Sequence, residues 1–387
     1  MSDVLGVGIV GCGNVALNFH LPSYQAHPDR FDVVGLADPT AERLDFGRST
    51  AGLGNGQVHL DSKELLARDD IDLVDICTPQ HLHRDVIVAA AAAGKHIVCE
   101  KPLASVPAEA VAAVDAAERA GVVLGVVHNY LFFPEVVAAK HVVDSGELGD
   151  VRVVIVNYLG VVDLPGAGGY RPQWRHDPAA AGGGVLMDML HAVYLAEHLL
   201  GTPVERVSAY ADTVRPGDSV EDLALCRFEA DHKVALVNMG WGLGHGGVQV
   251  VGTKGRLTID YRDDGTPPWA PFERLTVTTE KGTRVEPLPA GKELPELVLD
   301  SMQAAMLDIG DAINERRAPT VGGRQALHIL EATLAAYTSA ALGRTVPLPL
   351  VADSPVFLMG VTGLRDLDVP SWSSVTRDGL FGLGAEQ

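Results

Sequence analysis

Three clusters in this 387-residue sequence have the residue types and spacing to do chemistry. The first is Gly11-Cys12-Gly13-Asn14-Val15-Ala16, a G-x-G-x-x-A pattern. It follows an apolar run and opens a helical one, which is the setting of a phosphate cradle. Gly11 permits the tight turn, Gly13 lets a pyrophosphate approach the backbone, and Ala16 lets helix and strand pack closely. The helix that begins at Asn14 and Val15 presents free N–H groups to the anion. Asp38 closes the next apolar run, in Gly-Leu-Ala-Asp-Pro, 22 residues after Ala16. A carboxylate there suits the adenosine ribose and repels a 2′-phosphate, so NAD is expected ahead of NADP. Asp38 also fits as a cap for the helix that Pro39-Thr40 opens, and both roles can coexist. Arg43, one turn on, could still tolerate a 2′-phosphate.

The second cluster is Glu100-Lys101-Pro102, with Thr78-Pro79 and His83 upstream. The charged pair ends an apolar run, at a carboxyl end of a sheet, where doubly wound folds bind ligands. The third is Asp188-Met189-Leu190-His191, preceded by Gly182-Gly183-Gly184. On one predicted helix, residues three apart share a face, so Asp188, His191 and Tyr194 would point into one cleft. Lesser candidates are Asn129-Tyr130 after the sixth run and Trp174-Arg175-His176-Asp177 before the triple glycine. His20 and Pro22, after the first loop, belong beneath a nicotinamide or in helix packing. His81 and His83 have no third partner of metal-ligand spacing, so no metal is expected. Gly242–Gly247 reads as a loop near the cleft or an interface, not a second phosphate cradle.

The elements that must hold these groups follow from periodicity. Short apolar runs at 5–10, 33–37, 73–77, 96–99 and 122–127 alternate with helical runs at 41–51, 84–93, 108–120 and 135–145. This is the signature of a doubly wound α/β domain with a parallel sheet. Beyond residue 149 the pattern changes. Extended runs at 151–158, 207–213, 223–229, 234–239, 248–251, 256–261, 275–279 and 284–288 have almost no helices between them. Asp231-His232 and Lys254-Gly255 are hairpin turns, and a mostly antiparallel sheet is expected. One helix is expected at 185–200, and two at 297–317 and 324–342 close the domain. The expected division is 1–130, a dinucleotide-binding domain; 131–346, a substrate and oligomerisation domain; and 347–387, an extended C-terminal arm.

Taken together, these motifs resemble those of the glucose–fructose oxidoreductase/inositol dehydrogenase (Gfo/Idh/MocA) family. The resemblance rests on Gly11–Ala16, Thr78-Pro79 with His83, and Ala93-Gly94-Lys95-His96 running into Glu100-Lys101-Pro102. It rests also on Gly182–Asp188 with His191 and on Val251-Gly252-Thr253-Lys254-Gly255. It spans nearly the whole chain to about residue 348. It implies a Rossmann domain followed by an α/β domain with a large open sheet, the usual oligomer surface, hence a homodimer or homotetramer. It further implies an enzyme that moves a hydride between NAD(P) and a secondary alcohol or ketone of a sugar, cyclitol or related polyol. In that reading Lys101 polarises the reacting oxygen, His191 is the general acid/base, and Asp188 binds a substrate hydroxyl or orients the other two. Gly11, Gly13, Asn14, Val15, Asp38, Thr78, Pro79, His83, Glu100 and Lys101 would line the cofactor. Tyr130, Trp174, Arg175, Asp188, His191 and Tyr194 would meet the substrate, with Tyr194 in reserve as proton donor. The Lys101–Pro102 bond is often cis in relatives. Many relatives place the His four residues after the Asp, often with an intervening Gly; the interval here is three and that Gly is absent. Two other activities share the resemblance: an NAD-retaining hydrolase or lyase, and a non-catalytic sensor.

Composition excludes other classes. Thirty Lys+Arg against 50 Asp+Glu give a net charge of −20, which repels nucleic acid and anionic membranes. The N-terminus shows no basic or twin-Arg leader, so a cytoplasmic protein is expected. Four scattered cysteines with no CxxC pair suit reduced thiols.

Overall fold

The computed structural model describes residues 4–161, 183–214, 220–242, 244–261, 272–289, 291–371 and 373. The chain forms two compact units, 1–129 with 298–327 and 130–297 with 328–387.

In the first unit six strands form one parallel sheet: β1 (Leu5–Val10), β2 (Phe31–Ala37), β3 (Val58–His59), β4 (Leu73–Ile76), β5 (His96–Cys99) and β6 (Leu124–Val126). Their order is β3-β2-β1-β4-β5-β6, so the chain reverses direction across the sheet between β1 and β4. That reversal opens a crevice at the carboxyl ends of the two strands, the binding position of doubly wound sheets. All six positions of β1 and all four of β4 are buried. Helices cover both faces, so these strands read as continuous apolar runs.

The expectation that both late helices close the second domain does not hold. Residues 298–327, most of the Leu294–Glu315 helix among them, cluster with the first unit. Met302, Met306 and Ile309 enter the same core as Ile9, Leu21, Tyr24 and Phe31. Their spacing makes an apolar stripe, which shows that a face is buried but not against what.

The second unit is built on a nine-stranded sheet: β7 (Val151–Val161), β8 (Arg206–Asp212), β9 (Leu223–Ala230), β10 (Lys233–Trp241), β11 (Gly246–Gly252), β12 (Gly255–Tyr261), β13 (Phe272–Thr279), β14 (Gly282–Glu286) and β15 (Val346–Pro347). The order is β14-β13-β12-β11-β7-β10-β9-β8-β15, and all pairings except β7–β10 are antiparallel. The β9–β10 turn has Asp231 and His232 at φ +40° and +64°, the double left-handed turn that matches strand twist. The β11–β12 turn lies at Thr253-Lys254, one residue earlier than expected, because Gly255 already pairs with Thr279.

Two further expectations are corrected. The helix expected at 185–200 is two helices, Val185–Asp188 and Leu190–Leu200, broken at Met189 (φ −99°, ψ +30°). The C-terminal arm is not wholly extended. It starts with β15 on β8, then forms the Pro355–Met359 helix and a 3₁₀ turn, Gly360–Asp366. No helix among the described residues is long and apolar enough to cross a membrane.

Met306 is 1% exposed in the first unit's core. Met306→Ala should cost about 2–5 kcal/mol. Native-state hydrogen exchange should show β1 and β2 amides losing protection by that amount; unchanged protection would place the helix outside the core.

Candidate functional site

In the first unit, the crevice is framed by the glycine loop. Gly11 has φ +97°, and a Cβ there would lie 2.8 Å from the Cys77 carbonyl oxygen, so both backbone and space demand glycine. At Gly13 a Cβ would meet nothing within 4 Å. The fold itself therefore does not require Gly13. Asn14 and Val15 are exposed at the start of the turn that follows. Asp38 is buried and accepts the Cys12 N–H (2.9 Å) on one oxygen and the Thr40 N–H (2.8 Å) on the other. It thus ties the loop to the start of the next helix; each oxygen retains a lone pair for a ribose hydroxyl. Exposed Arg43 lies 4.0 Å from it. Thr78 Oγ1 is buried with no hydrogen-bond partner among the described residues. The open space over Gly13 and this orphaned hydroxyl, at the ends of β1 and β4, fit a pyrophosphate-bearing cofactor.

Pro79 is exposed beside Thr78, while His83 is buried. The two His83 nitrogens lie 2.9 Å from the Pro102 and Thr78 carbonyls. Burial pulls its pKa down, against two carbonyls that favour the protonated ring. Its side chain braces the two turns.

Glu100 and Lys101 follow β5, and the Lys101–Pro102 peptide is cis. Beneath them is a buried charge cluster. His20 Nδ1 lies 2.8 Å from Asp75 Oδ2, and Nε2 lies 2.9 Å from Glu100 Oε1. The other Glu100 oxygen accepts the Lys101 backbone N–H at 2.9 Å. Burial alone would lower the His20 pKa, but the Asp75 carboxylate beside it holds it well above the ordinary histidine value. Burial would raise Glu100, but His20 and Lys101 hold it below the ordinary carboxylate value. Cys77 Sγ lies 3.3 Å from His20 Nδ1, and burial pushes its thiol up to about 12. The His20, Asp75 and Cys77 ligand-type atoms lie within 4.8 Å of one another. Both His20 nitrogens are spent on carboxylates, so the group is an ion cluster. His128, buried nearby, is pulled down to about 3 by burial and by the Lys101 charge, and is neutral.

In the second unit, Tyr130 stacks on His191, with ring centroids 4.1 Å apart and planes at 21°. His191 Nδ1 lies 2.6 Å from the Tyr194 hydroxyl, which also accepts the Tyr130 N–H at 3.1 Å. Tyr194 is 1% exposed. Its hydroxyl orients His191, which leaves it poorly placed as a direct proton donor. Asp188, half-buried, ends the Val185–Asp188 helix and does not share a continuous helix face with His191. That short helix is cradled by Glu221, whose carboxyl accepts the Gly184 N–H (2.9 Å), the Leu186 N–H (2.9 Å) and the Tyr337 O–H (2.7 Å). The Tyr337 oxygen accepts the Met187 N–H at 3.1 Å. At Gly183 (φ +145°) a Cβ would sit 2.1 Å from that oxygen, so glycine is required. Trp174, Arg175, His176 and Asp177 lie outside the described residues.

Sequence reasoning missed Glu221, Tyr337 and Glu135. Their only signal is an acid or tyrosine inside an apolar context. Glu135, in the first turn of the Pro134–Asp144 helix, is buried with Oε2 unpartnered among the described residues. Burial pushes its carboxyl up to about 8.

Residues 5–128 match the NAD-binding Rossmann-fold profile of the Gfo/Idh/MocA oxidoreductase family, and residues 136–258 match that family's C-terminal domain. The chain belongs to this family and is an oxidoreductase with an NAD-binding domain. It is 34% identical over 212 residues to levoglucosan dehydrogenase of Pseudarthrobacter phenanthrenivorans, 51% of each chain. It is 28% identical to D-apiose dehydrogenase of Paraburkholderia graminis, over 90% of this chain and 91% of that one. Among solved structures, levoglucosan dehydrogenase complexed with NADH and levoglucosan superposes with a TM-score of 0.76 at 26% identity, covering 89% of this chain and all of that one.

The two glycines separate fold from function. Gly13→Ala should shift Tm by no more than about 2 °C while weakening NAD binding tenfold or more by calorimetry, whereas Gly11→Ala should cost about 1–3 kcal/mol of stability. Equal NAD affinity in Gly13→Ala would remove the phosphate from this loop.

Glu135 gives a pH dependence. Its folded pKa, about 8, lies above the ordinary 4.5, so the folded state holds a proton that the unfolded chain releases. The associated stability is present below about pH 4.5 and lost as pH rises to about 8. Between pH 5 and 8.5 the wild type should lose at least about 4 °C more in Tm than Glu135→Gln. Parallel Tm profiles would contradict it.

Proposed function

We propose that the protein interconverts a secondary alcohol and a ketone on a sugar, cyclitol or related polyol, with NAD in preference to NADP. The observation that carries this is Lys101, set at the carboxyl end of β5 beside the crevice and held there by Glu100. The names of the relatives, levoglucosan and D-apiose dehydrogenases, support the substrate class. NAD, when bound, supplies the hydride acceptor.

The protein's own groups then have distinct tasks. The Lys101 ammonium hydrogen-bonds the reacting oxygen and stabilises the negative charge that grows on it as the proton leaves. His191 takes the alcohol proton during oxidation and returns it during reduction. The transfer is assigned to Nε2, because Nδ1 is held by Tyr194. Asp188 accepts a hydrogen bond from a further substrate hydroxyl. The Tyr130 ring, stacked on His191, offers an apolar face to a sugar ring. Trp174 and Arg175 stay in the reading as substrate contacts. Gly11, Gly13, Asn14, Val15, Asp38, Thr78 and Pro79 serve the cofactor, with His83 as a brace.

The reading includes a cytoplasmic homodimer or homotetramer. Tyr210 on β8 and Leu225 on β9 stand directly opposite each other and are 47% and 40% exposed, an apolar start for a contact with a second copy.

Purified protein incubated with NAD, and separately NADP, should be screened at 340 nm against levoglucosan, monosaccharides, inositols and their phosphates. NADH should appear with one of them. Lys101→Ala should lower kcat by about 10²–10³ and His191→Ala by about 10²–10⁴, both with NAD affinity retained. Full activity in Lys101→Ala would strip that residue of its role. Tight NAD binding without reduction by any polyol would favour an NAD-retaining lyase or a sensor.

A further inference from the structure

The charge cluster under Lys101 has a feature that packing alone does not explain. His20 belongs to the glycine-loop segment, yet its ring reaches the turn after β5. A π-helical turn, Ala16–His20, makes this possible: the Leu21 N–H bonds the Ala16 carbonyl, one residue further than in an α-helix. The extra residue per turn re-aims the side chain, and such turns concentrate at functional sites. His20 is fully buried, with each nitrogen on a different carboxylate, Asp75 at 2.8 Å and Glu100 at 2.9 Å. Two carboxylates facing one imidazole need an N–H on both nitrogens, so the ring carries its positive charge.

We propose that His20 is a positioning residue for Lys101: it bridges Asp75 and Glu100, and through Glu100 fixes the Lys101 backbone and balances the charge beside its ammonium. The inference rests on Lys101 acting at the reacting oxygen. The connection is short. Glu100 Oε1 takes His20, and Oε2 takes the Lys101 N–H. The groups facing His20 are Asp75 and Cys77 from the β4 end and Glu100 from the β5 end; Tyr24, from the next helical turn, faces Asp75 and Cys77, and neutral His128 lies near Lys101. Burial holds the Cys77 thiol and the Tyr24 hydroxyl in their neutral forms. Asp75, His20⁺, Glu100 and Lys101⁺ therefore balance to zero. Removing His20 leaves Glu100 uncompensated, and removing the Glu100 charge leaves His20⁺ beside Lys101⁺.

The two losses have opposite signs, and that is the test. The variants are His20→Gln, Glu100→Gln and the double variant, assayed with the polyol found in the NAD screen. In His20→Gln the alkaline limb of the kcat profile should move up by at least half a pH unit, because Lys101 faces an unbalanced carboxylate. In Glu100→Gln it should move down by a similar amount. The double variant should lie within a few tenths of a unit of the wild type. Each single variant should lower kcat about tenfold or more, with KM for NAD changed less than threefold. Limbs that move together, or not at all, overturn the proposal, since lost packing alone has no sign.

A readout independent of any substrate is ¹⁵N NMR of the histidine rings in the full-length protein. One ring, absent in His20→Gln, should remain protonated on both nitrogens at pH 8, and a neutral single tautomer there would overturn the proposal. If Lys101→Ala keeps full activity, it is the assignment of Lys101 that fails. If Lys101→Ala is inactive while His20→Gln matches the wild type in kcat and profile, the assignment stands and this inference falls.

Discussion

The first unit's candidate site depends on one constraint: carboxylates placed out of water must be matched by positive charge close at hand. Asp75 is fully buried within β4, and the Glu100 side chain keeps only 14% of its exposure. An isolated carboxylate there would be expensive enough to force protonation. His20 removes that penalty by facing both. Such an arrangement is seldom a source of stability. Buried ion groups often do no better than apolar residues of the same volume, whereas loss of one partner costs about 3–5 kcal/mol. Apolar residues of similar volume often stabilise such a place as well. What they could not do is present a fixed acceptor to the Lys101 N–H at the mouth of the crevice.

The second unit solves a related problem without a cation. Glu221 is also buried, but its carboxyl meets three donors, the Gly184 and Leu186 amides and the Tyr337 hydroxyl. Burial pushes its pKa up to about 7 even so. The two amide donors come from the chain that leads into Asp188, so the acid serves as a template for a four-residue helix too short to hold itself. Gly183 and Gly184 are needed because the backbone passes against Tyr337 and Glu221 with no room for a side chain. A triple glycine that suggests close approach to a ligand is thus explained, at two of its positions, by close approach to the protein's own acid.

How much was legible in the sequence follows from the range of each signal. Runs of β-branched residues and the glycine loop are local, and both sheets and the switch point follow from them. The hairpin at Asp231-His232 is local too. The destination of Met302, Met306 and Ile309 is not, because a helical stripe names no partner. His20 was open between two roles in the sequence and has a third. No periodicity announces that a π-turn will swing it toward Asp75 and Glu100, residues 55 and 80 positions away. Glu221 and Tyr337 were invisible for the same reason: their partners lie 37 and 116 residues distant.

The spacing of Asp188 and His191 shows how a helical rule can give a useful answer for a wrong reason. Three residues apart on a continuous helix, the two would share a face. Met189 breaks the helix between them, so that relation does not apply. Each residue is instead positioned by its own network. Asp188 sits at the end of the helix that Glu221 cradles, and His191 is fixed by the Tyr194 hydroxyl and the Tyr130 ring. Tyr194 is three residues after His191 on an unbroken helix, and there the rule does hold. The interval of three between them spans a break, where the number of residues between two side chains no longer dictates their relative direction. The relative direction of the pair is set by its separate supports, Glu221 and Tyr337 around the helix that ends at Asp188 and Tyr194 and Tyr130 around His191.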